Sequence, residues 1–434
     1  MWGVLLASVA VTAADRDVLI RDGQFVNATT GSSVLLVGAN VVWKGPPWIP
    51  DATGDVPCGD LPSDPTSATS CQTFNVHDAR KVRGLGYNFI RLGVTWAGGQ
   101  PTNKNALDPA WVQRLHAVLD VCHAEGIAVV LDIHQDAVGS AVCGEGVPMW
   151  FSQLAIPDDI GKPLSLLPKL ADNTCGHNDT TLWAQFAGDP DYNIKNPCCR
   201  KYNQGSWGEL TATSASLKTM DYLLRANGRS LYARYTGLLA AAVQSKPAAV
   251  GIELMNEPPS INRAGLYTLW EECYRSIRAS IPADDTLAVG IMDPGQASLG
   301  LGNLDLTRNT ITWLKSRPAN LFYAFHWYGE PAPVATAVKN AVNFAKRHGM
   351  PSLLTEYGGY GSGPKGGCTV QSAATSHEVG SGYWHYNDYC WPKHCPGGKP
   401  DGYCPLNLTA PRWGACITGC EYAHYSLCIE TKTC

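Results

Sequence analysis

Eight short apolar runs recur along the chain, and most are followed by a stretch with the apolar spacing of a helix. Near-continuous hydrophobicity is typical of strands covered on both faces, as in a parallel sheet. Eight strand and helix units in a chain of 434 residues predict an α/β fold, the (β/α)8 TIM barrel. The predicted strands are 33–43, 88–96, 127–136, 249–258, 286–294, 321–329, 352–359 and 382–388.

The connections between the predicted strands are uneven in length. Helices are predicted at 108–126, 229–245, 264–280 and 333–349. Most of 137–228 has no helix-like pattern, which predicts a long loop between the third strand and the third helix, at the active-site end. The barrel is therefore expected over 17–390, and a Cys-rich tail over 391–434 is expected to include its closing helix.

The 16 cysteines lie mostly in loop-like sequence, which favours disulfides formed in an oxidising compartment. We expect at least five bridges, some of them in the 137–228 loop, whereas Cys122 and Cys273 lie in helix-like segments and are expected to be free. Zinc is the disfavoured alternative, because no C-x-x-C pair occurs.

The first 14 residues resemble a secretory signal peptide, with an apolar stretch that ends in small residues. N-x-[ST] sequons at Asn27, Asn178 and Asn407 fit the same route. We therefore expect a secreted protein, or one of the secretory or lysosomal lumen. A formal charge of -4 gives no electrostatic reason to expect nucleic acid or an anionic membrane as partner, and no transmembrane segment is expected in the mature chain.

Two glutamates stand where predicted strands end, and catalytic groups of such barrels sit at the C-terminal ends of strands. Glu257 follows the fourth run in IELMNEP, and Glu356 ends the seventh in LLTEYGG. Two carboxyl groups facing one pocket form the pair needed for glycoside hydrolysis, with one protonating the leaving oxygen and the other attacking the anomeric carbon. A bare N-E-P is more often a turn, so the second glutamate carries the interpretation.

Further polar residues end other predicted strands. They are Arg91 on the second, Asp132, His134 and Asp136 on one face of the third, Asn256 on the fourth, His326 and Tyr328 on the sixth and Trp384 on the eighth. Singly, each has an ordinary reading as an ion pair, a core imidazole or packing. Together, a cation and a phenol beside Glu356 would keep it ionised, and a histidine near Glu257 would tune its proton affinity.

The set Arg91, His134, Asn256, Glu257, His326, Tyr328, Glu356 and Trp384 resembles, in this order, glycoside hydrolase family 5 of the clan A barrels. Within that family, LDIHQD, GEGVPMW and NVVWKGPPW resemble the endoglycoceramidases and the related fungal and protist β-glucosylceramidases more than the cellulases. The sequence departs from endoglycoceramidases in the Cys-rich tail, where they carry a β-sandwich domain, and in the number of cysteines in the long loop.

This resemblance implies that Glu257 is the acid/base and Glu356 the nucleophile of a retaining enzyme. It also implies sugar contacts for Lys44, His134, Asp136, Asn256, Tyr328 and Trp384, supporting roles for Arg91 and His326, and no metal or other cofactor. The implied substrate is a glycolipid: a glycosphingolipid, glucosylceramide or steryl glucoside, hydrolysed by a monomer.

Three alternatives remain open from the residues. The same chemistry fits a β-1,4-glucanase or a mannanase, and a carbohydrate-binding barrel without activity is a third reading. The apolar segment 147–151 is a candidate ceramide or sterol site, although a loop that folds its own small core explains it equally well.

Overall fold

The computed structural model describes residues 15–54, 73–102, 104–164, 183–185, 187–190, 192–196, 199, 210–260, 262–293, 312–328, 333–358, 364–384 and 386. The predicted signal peptide 1–14, the tail 391–434 and the sequons at Asn178 and Asn407 lie outside these residues. In the part of the chain that is described, no helix has the length and apolar character needed to cross a bilayer.

Eight parallel strands close into a barrel and follow one another around it in chain order, which confirms the predicted fold. They are β3 (Val37–Val41), β4 (Phe89–Val94), β5 (Ala128–Ile133), β6 (Ala249–Glu253), β7 (Ala288–Ile291), β8 (Leu321–Trp327), β9 (Ser352–Tyr357) and β10 (Gly380–Tyr383). Seven lie within their predicted runs. The eighth, β10, starts before its predicted run and ends at Tyr383, so Trp384 follows the strand directly.

The helices of the described residues cover the barrel and fill its long connection. They are α1 (Val76–Gly84), α2 (Trp96–Gly99), α3 (Pro109–Ala124), α4 (Met149–Ala155), α5 (Tyr192–Lys195), α6 (Ser214–Leu223), α7 (Ala226–Ala242), α8 (Arg263–Ser280), α9 (Thr312–Lys315), α10 (Val334–His348) and α11 (Pro364–Thr375). The sequence determines several boundaries directly. Asp108 caps α3 by accepting from the Trp111 amide, and α10 ends at Gly349 with a φ of 73°.

A hairpin that the sequence analysis did not predict precedes the barrel. It pairs β1 (Val18–Arg21) with β2 (Gln24–Asn27) in antiparallel register. Val18 and Phe25 are buried in the same cluster as Phe322, and the Phe25 and Phe322 rings lie 5.8 Å apart. Because Phe322 lies at the start of β8, the hairpin closes the end of the barrel opposite the strand C-termini.

Arg16 attaches the segment before the hairpin to the same end of the barrel. Its guanidinium is buried and forms an ion pair with Asp285 at 2.7 Å. It also donates to the carbonyl oxygens of Val243, Lys246 and Ala249. These contacts are charge-assisted or carbonyl hydrogen bonds, so the buried charge is compensated.

The connection 137–228, predicted as a long loop, contains short helices that its sequence pattern does not predict. It contains α4, α5 and α6, and it has its own buried cluster, which includes Met149, Trp183 and Tyr192. A disulfide between Cys143 and Cys199 lies inside this connection. The helices are short and take their stability from packing rather than from a long periodic pattern, so periodicity alone does not reveal them.

Two cysteines and the apolar segment 147–151 can be compared with what the sequence predicts. Cys122 and Cys273 are free and buried, as predicted. In the segment 147–151, Val147 and Phe151 are at most 3% exposed in the cluster of the barrel, Met149 is 4% exposed in the cluster of the long connection, and Trp150 is partly buried. The segment therefore packs into both clusters rather than forming an open apolar patch, and its role as a lipid site stays a prediction.

Candidate active site

Glu356 lies near the end of β9 and receives two hydrogen bonds from predicted partners. Arg91 Nη1 donates to Oε1 at 2.5 Å, and the Tyr328 hydroxyl donates to Oε2 at 2.7 Å. Burial, with the charge of Glu356, raises the pKa of Tyr328 well above its usual value, so this phenol keeps its proton and remains a donor. A carboxyl group held by a cation and a phenol is fixed in orientation, which suits a nucleophile.

Glu257 follows β6 in a backbone conformation that is unusual for a residue with a side chain, with a φ of 34°. Its Oε1 lies 2.8 Å from Nδ1 of His326. Burial is the main cause that raises the pKa of Glu257 to about 7, and the negative charge of Asp136 adds to it. Burial also lowers the pKa of His326 to about 3, so the imidazole beside Glu257 is neutral. Glu257 therefore holds a proton that it can deliver near neutral pH.

The two carboxyl groups face each other across His326. Its Nδ1 lies 3.5 Å from Oε2 of Glu356, and one oxygen of each glutamate and a ring nitrogen of His326 lie within 4.8 Å of one another. Both glutamates are thus placed to act on one bond, in different surroundings.

Arg91 is the buried centre of the site and contacts more than Glu356. Glu253 accepts from it through both oxygens, at 2.6 and 3.1 Å, and an oxygen of Asp132 lies 2.9 Å away. Asn40 and Asn256 each accept at 2.9 Å. This arrangement uses the fork geometry of the guanidinium, which fixes its plane and hence its bond to Glu356.

Gln135 holds the loop that carries Asn256 and Glu257. Its Nε2 donates to the carbonyl oxygens of Asn256, at 2.6 Å, and of Glu257, at 2.9 Å. Asn256 returns the contact by donating from Nδ2 to the Gln135 carbonyl at 3.0 Å. Gln135, which follows the neighbouring strand β5, thereby restrains the backbone of Glu257.

The other predicted sugar contacts form one side of the site. Trp384 stacks on His134, with ring centroids 5.5 Å apart, and the Lys44 ammonium lies 5.1 Å from the Trp384 ring centroid. His134 Nδ1 lies 2.6 Å from Asp132, and its Nε2 lies 3.6 Å from Asp136. Lys44 also forms an ion pair with Asp136. An aromatic face beside several hydrogen-bonding groups is a surface suited to a sugar ring.

The charges on this side are set by close pairing. Burial lowers the pKa of His134, but Asp132 and the hydrogen bonds to Asp132 and Asp136 outweigh it and raise the pKa to about 10. Burial raises the pKa of Asp136, but Lys44 and His134 outweigh it and hold this pKa well below its usual range. His134 is therefore a cation and Asp136 an anion at neutral pH.

The sequence-predicted residues form one connected network of contacts. They are Lys44, Arg91, His134, Asp136, Asn256, Glu257, His326, Tyr328, Glu356 and Trp384. Sequence reasoning missed Asn40, Gln135, Glu145 and Glu253. A signal existed for Glu253, a charged residue within an otherwise apolar predicted strand, and for Glu145, which lies between two glycines close after HQD.

Three sets of side chains in the described residues have the spacing of metal ligands. They are Asp132 with His134 and Glu356, His134 with Asp136 and Glu145, and Glu257 with His326 and Glu356. Arg91 and Lys44 bring cationic groups to the carboxylates of the first two sets. That the chemistry needs no metal stays a prediction.

A family comparison matches most of the chain. The model of the cellulase family, glycosyl hydrolase family 5, matches residues 66–389. This range contains both glutamates and every predicted site residue except Lys44.

Curated relatives include an endoglycoceramidase I from Rhodococcus hoagii (strain 103S), 25% identical over 360 residues, which are 82% of this chain and 58% of that protein. An endoglycoceramidase from Hydra vulgaris is 26% identical over 224 residues, 51% of this chain and 36% of that protein. The chain thus spans between about a third and three fifths of the lengths of these two relatives.

Solved structures of similar fold include an endogalactoceramidase, with a TM-score of 0.60 and 20% identity over 89% of this chain and 82% of that chain. The lactosyl-enzyme intermediate of endo-glycoceramidase II from Rhodococcus sp. has a TM-score of 0.56 and 16% identity, over 86% and 75% of the two chains. At these identities the likeness concerns the fold.

Proposed function

Since the chain belongs to glycosyl hydrolase family 5, we propose that it is a retaining β-glycosidase that hydrolyses the sugar–aglycone bond of a glycolipid. The observation that carries the proposal is the pair of glutamates, Glu356 buried and Glu257 partly buried, with one oxygen of each within 4.8 Å of the other. Retaining enzymes have carboxyl groups about 5–5.5 Å apart, whereas inverting enzymes need about 6.5–9.5 Å to admit a water.

In the first step Glu356 attacks the anomeric carbon and forms a covalent glycosyl ester, while the bond to the leaving oxygen breaks. Glu257 gives its proton to that oxygen, so the aglycone leaves as an alcohol. In the second step Glu257, now a carboxylate, takes a proton from water, and the hydroxide attacks the anomeric carbon and releases Glu356. The pKa of about 7 for Glu257 fits a group that works as an acid and then as a base.

Sugar binding is assigned to the side of the site formed by Lys44, His134, Asp136 and Trp384. The Nε2 of His134 is buried and lies 3.6 Å from Asp136, so a sugar hydroxyl that comes closer is a suitable partner for it. Asn256 keeps one N–H of its amide for a sugar, since the structure gives the other to the Gln135 carbonyl.

The substrate class rests on the relatives, whose names specify endoglycoceramidase. We assign this chain to the same class of substrate, a sugar joined to a ceramide or a similar lipid. A secretory route belongs to the proposal as well, and the Cys143–Cys199 disulfide supports it, because such bonds persist in oxidising compartments.

A parallel assay tests the substrate class. The purified protein is incubated with glucosylceramide, a ganglioside, a steryl glucoside, carboxymethylcellulose and mannan, and kcat/KM is compared, with Glu356→Gln as the inactive control. We expect turnover of at least one lipid and little action on the polymers. Polymers ranked above lipids would replace this substrate class by a polysaccharide, and no turnover of any glycoside would favour a carbohydrate-binding barrel.

A further inference from the structure

The Lys44 ammonium lies between two carboxyl groups, of which only Asp136 has a role so far. It forms an ion pair with Asp136 and lies 3.1 Å from Oε1 of Glu145. The Lys44 side chain is 33% exposed, whereas those of Asp136 and Glu145 are 11% and 7% exposed. The contact with Glu145 is therefore shielded from solvent, where a charge contributes more than it does on the surface.

The backbone fixes Glu145 beside Asp136. The amide of each residue donates to the carbonyl oxygen of the other, and both distances are 2.9 Å. The glycines on either side permit this approach. A Cβ on Gly144 would lie 1.9 Å from the Asp136 carbonyl oxygen, and Gly146 has a φ of 136°. Glu145 is thus part of the same rigid unit as Asp136 rather than a mobile loop residue.

Several groups surround the Lys44 ammonium on the proposed sugar side of the site. An ammonium has three protons, and Lys44 donates one of them to Asp136, while Oε1 of Glu145 is an ion-pair partner at 3.1 Å. The Trp384 ring lies on another side, with its centroid 5.1 Å from Nζ. With Asp136 alone, Lys44 would turn its flexible stem toward that single partner. With two carboxyl groups and a ring around it, the ammonium is held in one place.

We propose that Glu145 is a positioning residue for sugar binding, which holds the ammonium of Lys44 and the carboxylate of Asp136 in the arrangement that receives a sugar hydroxyl. This inference rests on the proposed function, because it takes Lys44 and Asp136 as sugar contacts. Glu145 itself acts through Lys44.

The pKa of Glu145 differs from those of its charged neighbours, so a change of pH can alter the charge of Glu145 alone among them. The groups that face it are Lys44, Asp136 and His134. Burial, with Asp136, raises the pKa of Glu145 to about 7, whereas Lys44 and His134 titrate higher and Asp136 lower. Between about pH 5.5 and pH 8, Glu145 is therefore the member of this group that changes charge.

The test compares wild type with Glu145→Gln, using 4-methylumbelliferyl β-glucoside and β-galactoside at both pH values. At pH 8 we expect KM to rise about tenfold and kcat to stay within about twofold, because one charged contact is lost in binding. At pH 5.5 both constants should match wild type, since the carboxyl is protonated there. Glu145→Asp keeps the charge and should recover most of the KM at pH 8.

Two further variants complete the design. Lys44→Met should raise KM at both pH values, and adding Glu145→Gln to it should cost nothing more, because Glu145 acts through Lys44. Glu272→Gln is the matched control, since Glu272 forms an ion pair with Arg229 at 2.8 Å outside the site. Thermal melts check folding, and Glu145→Ala, which also removes the carboxyl group, replaces Glu145→Gln if the latter does not fold.

The possible results distinguish a failure of the role given to Glu145 from a failure of the proposed function. An active wild type with an unchanged KM in Glu145→Gln at pH 8, equal losses at both pH values, or additive effects with Lys44→Met would each overturn the inference. A wild type that hydrolyses neither glycoside nor any of the lipids would overturn the proposed function, and this inference with it.

Discussion

At the scale of single residues, the two glutamates differ because their neighbours differ. Glu356 faces the cation of Arg91 and the phenol of Tyr328, and both donate to it. Glu257 has a neutral imidazole for a neighbour, and burial raises its pKa to about 7. One site thereby gives its two carboxyl groups different partners.

The pKa of Glu257 predicts the basic limb of the pH profile. For a lipid or alkyl glycoside, whose leaving group needs protonation, kcat/KM should fall above about pH 7, tenfold per pH unit at the limit. For 2,4-dinitrophenyl glucoside, whose leaving group departs without a proton, this fall should be absent. Initial rates between about pH 5 and 9 provide the comparison, and the same basic limb for both substrates would assign the limb to another group.

How far sequence predicts the site depends on the kind of residue. Catalytic and sugar-facing groups follow strand ends, so their spacing along the chain identifies them. Gln135 and Glu253 act on other protein groups, through a hydrogen bond to the Glu257 carbonyl and a paired contact with Arg91. Such contacts join residues far apart in the chain, so the sequence shows a charge such as that of Glu253 in an apolar run but not the partner that it meets.

At the scale of elements, the barrel strands are predictable and the N-terminal hairpin is not. Strands buried on both faces have unbroken apolar runs, which β4, β5 and β9 illustrate with every residue buried. Strands β1 and β2 have four residues each and are partly exposed, so they produce a weak pattern. The helices of the long connection are hard to predict for a similar reason, because packing rather than a periodic pattern stabilises them.

The hairpin should contribute stability without contributing to the reaction. Phe25→Ala removes a buried ring that packs on Phe322, and we expect the free energy of unfolding to fall by about 3 kcal/mol. Because the hairpin closes the barrel end opposite the glutamates, kcat/KM should stay unchanged. Denaturant titration together with aryl-glycoside kinetics measures both quantities.

The control for this prediction is Leu154→Ala, since that side chain is 48% exposed and its loss should change stability by less than about 0.5 kcal/mol. A Phe25→Ala protein that is as stable as wild type, or one that loses activity while folded, would contradict the role given to the hairpin.

At the scale of the whole molecule, buried ionisable groups link stability to pH. The pKa of His134 is raised from 6.5 to about 10, so the stability that it contributes is complete below pH 6.5 and is lost as pH rises through 10. The pKa values of Glu145, Glu253 and Glu257 are raised from 4.5 to about 7. The stability that these groups contribute is complete below pH 4.5 and is lost as pH rises through 7. The pKa of His326 is lowered from 6.5 to about 3, so the stability that it contributes is complete above pH 6.5. Below pH 6.5 its contribution changes with pH in the sense opposite to that of the glutamates.

Above pH 6.5 these effects have the same sign, and Tm should fall by several degrees between about pH 6.5 and 9. Scanning calorimetry at constant ionic strength measures it. Between pH 7.5 and 9 the fall comes from His134 among these groups, so His134→Gln should flatten that part of the curve. A Tm that rises over this range in wild type would show that other groups dominate.

The central claim is that Glu356 is the nucleophile of a retaining enzyme and Glu257 its acid/base. The direct measurement is to trap the intermediate with a 2-deoxy-2-fluoro-β-glucosyl fluoride, or its galactosyl counterpart, and to locate the label by peptide mass spectrometry. The account predicts a stoichiometric label on Glu356, with the β-anomer as the first product by proton NMR. A label on another residue, or an α-anomer as the first product, would contradict it.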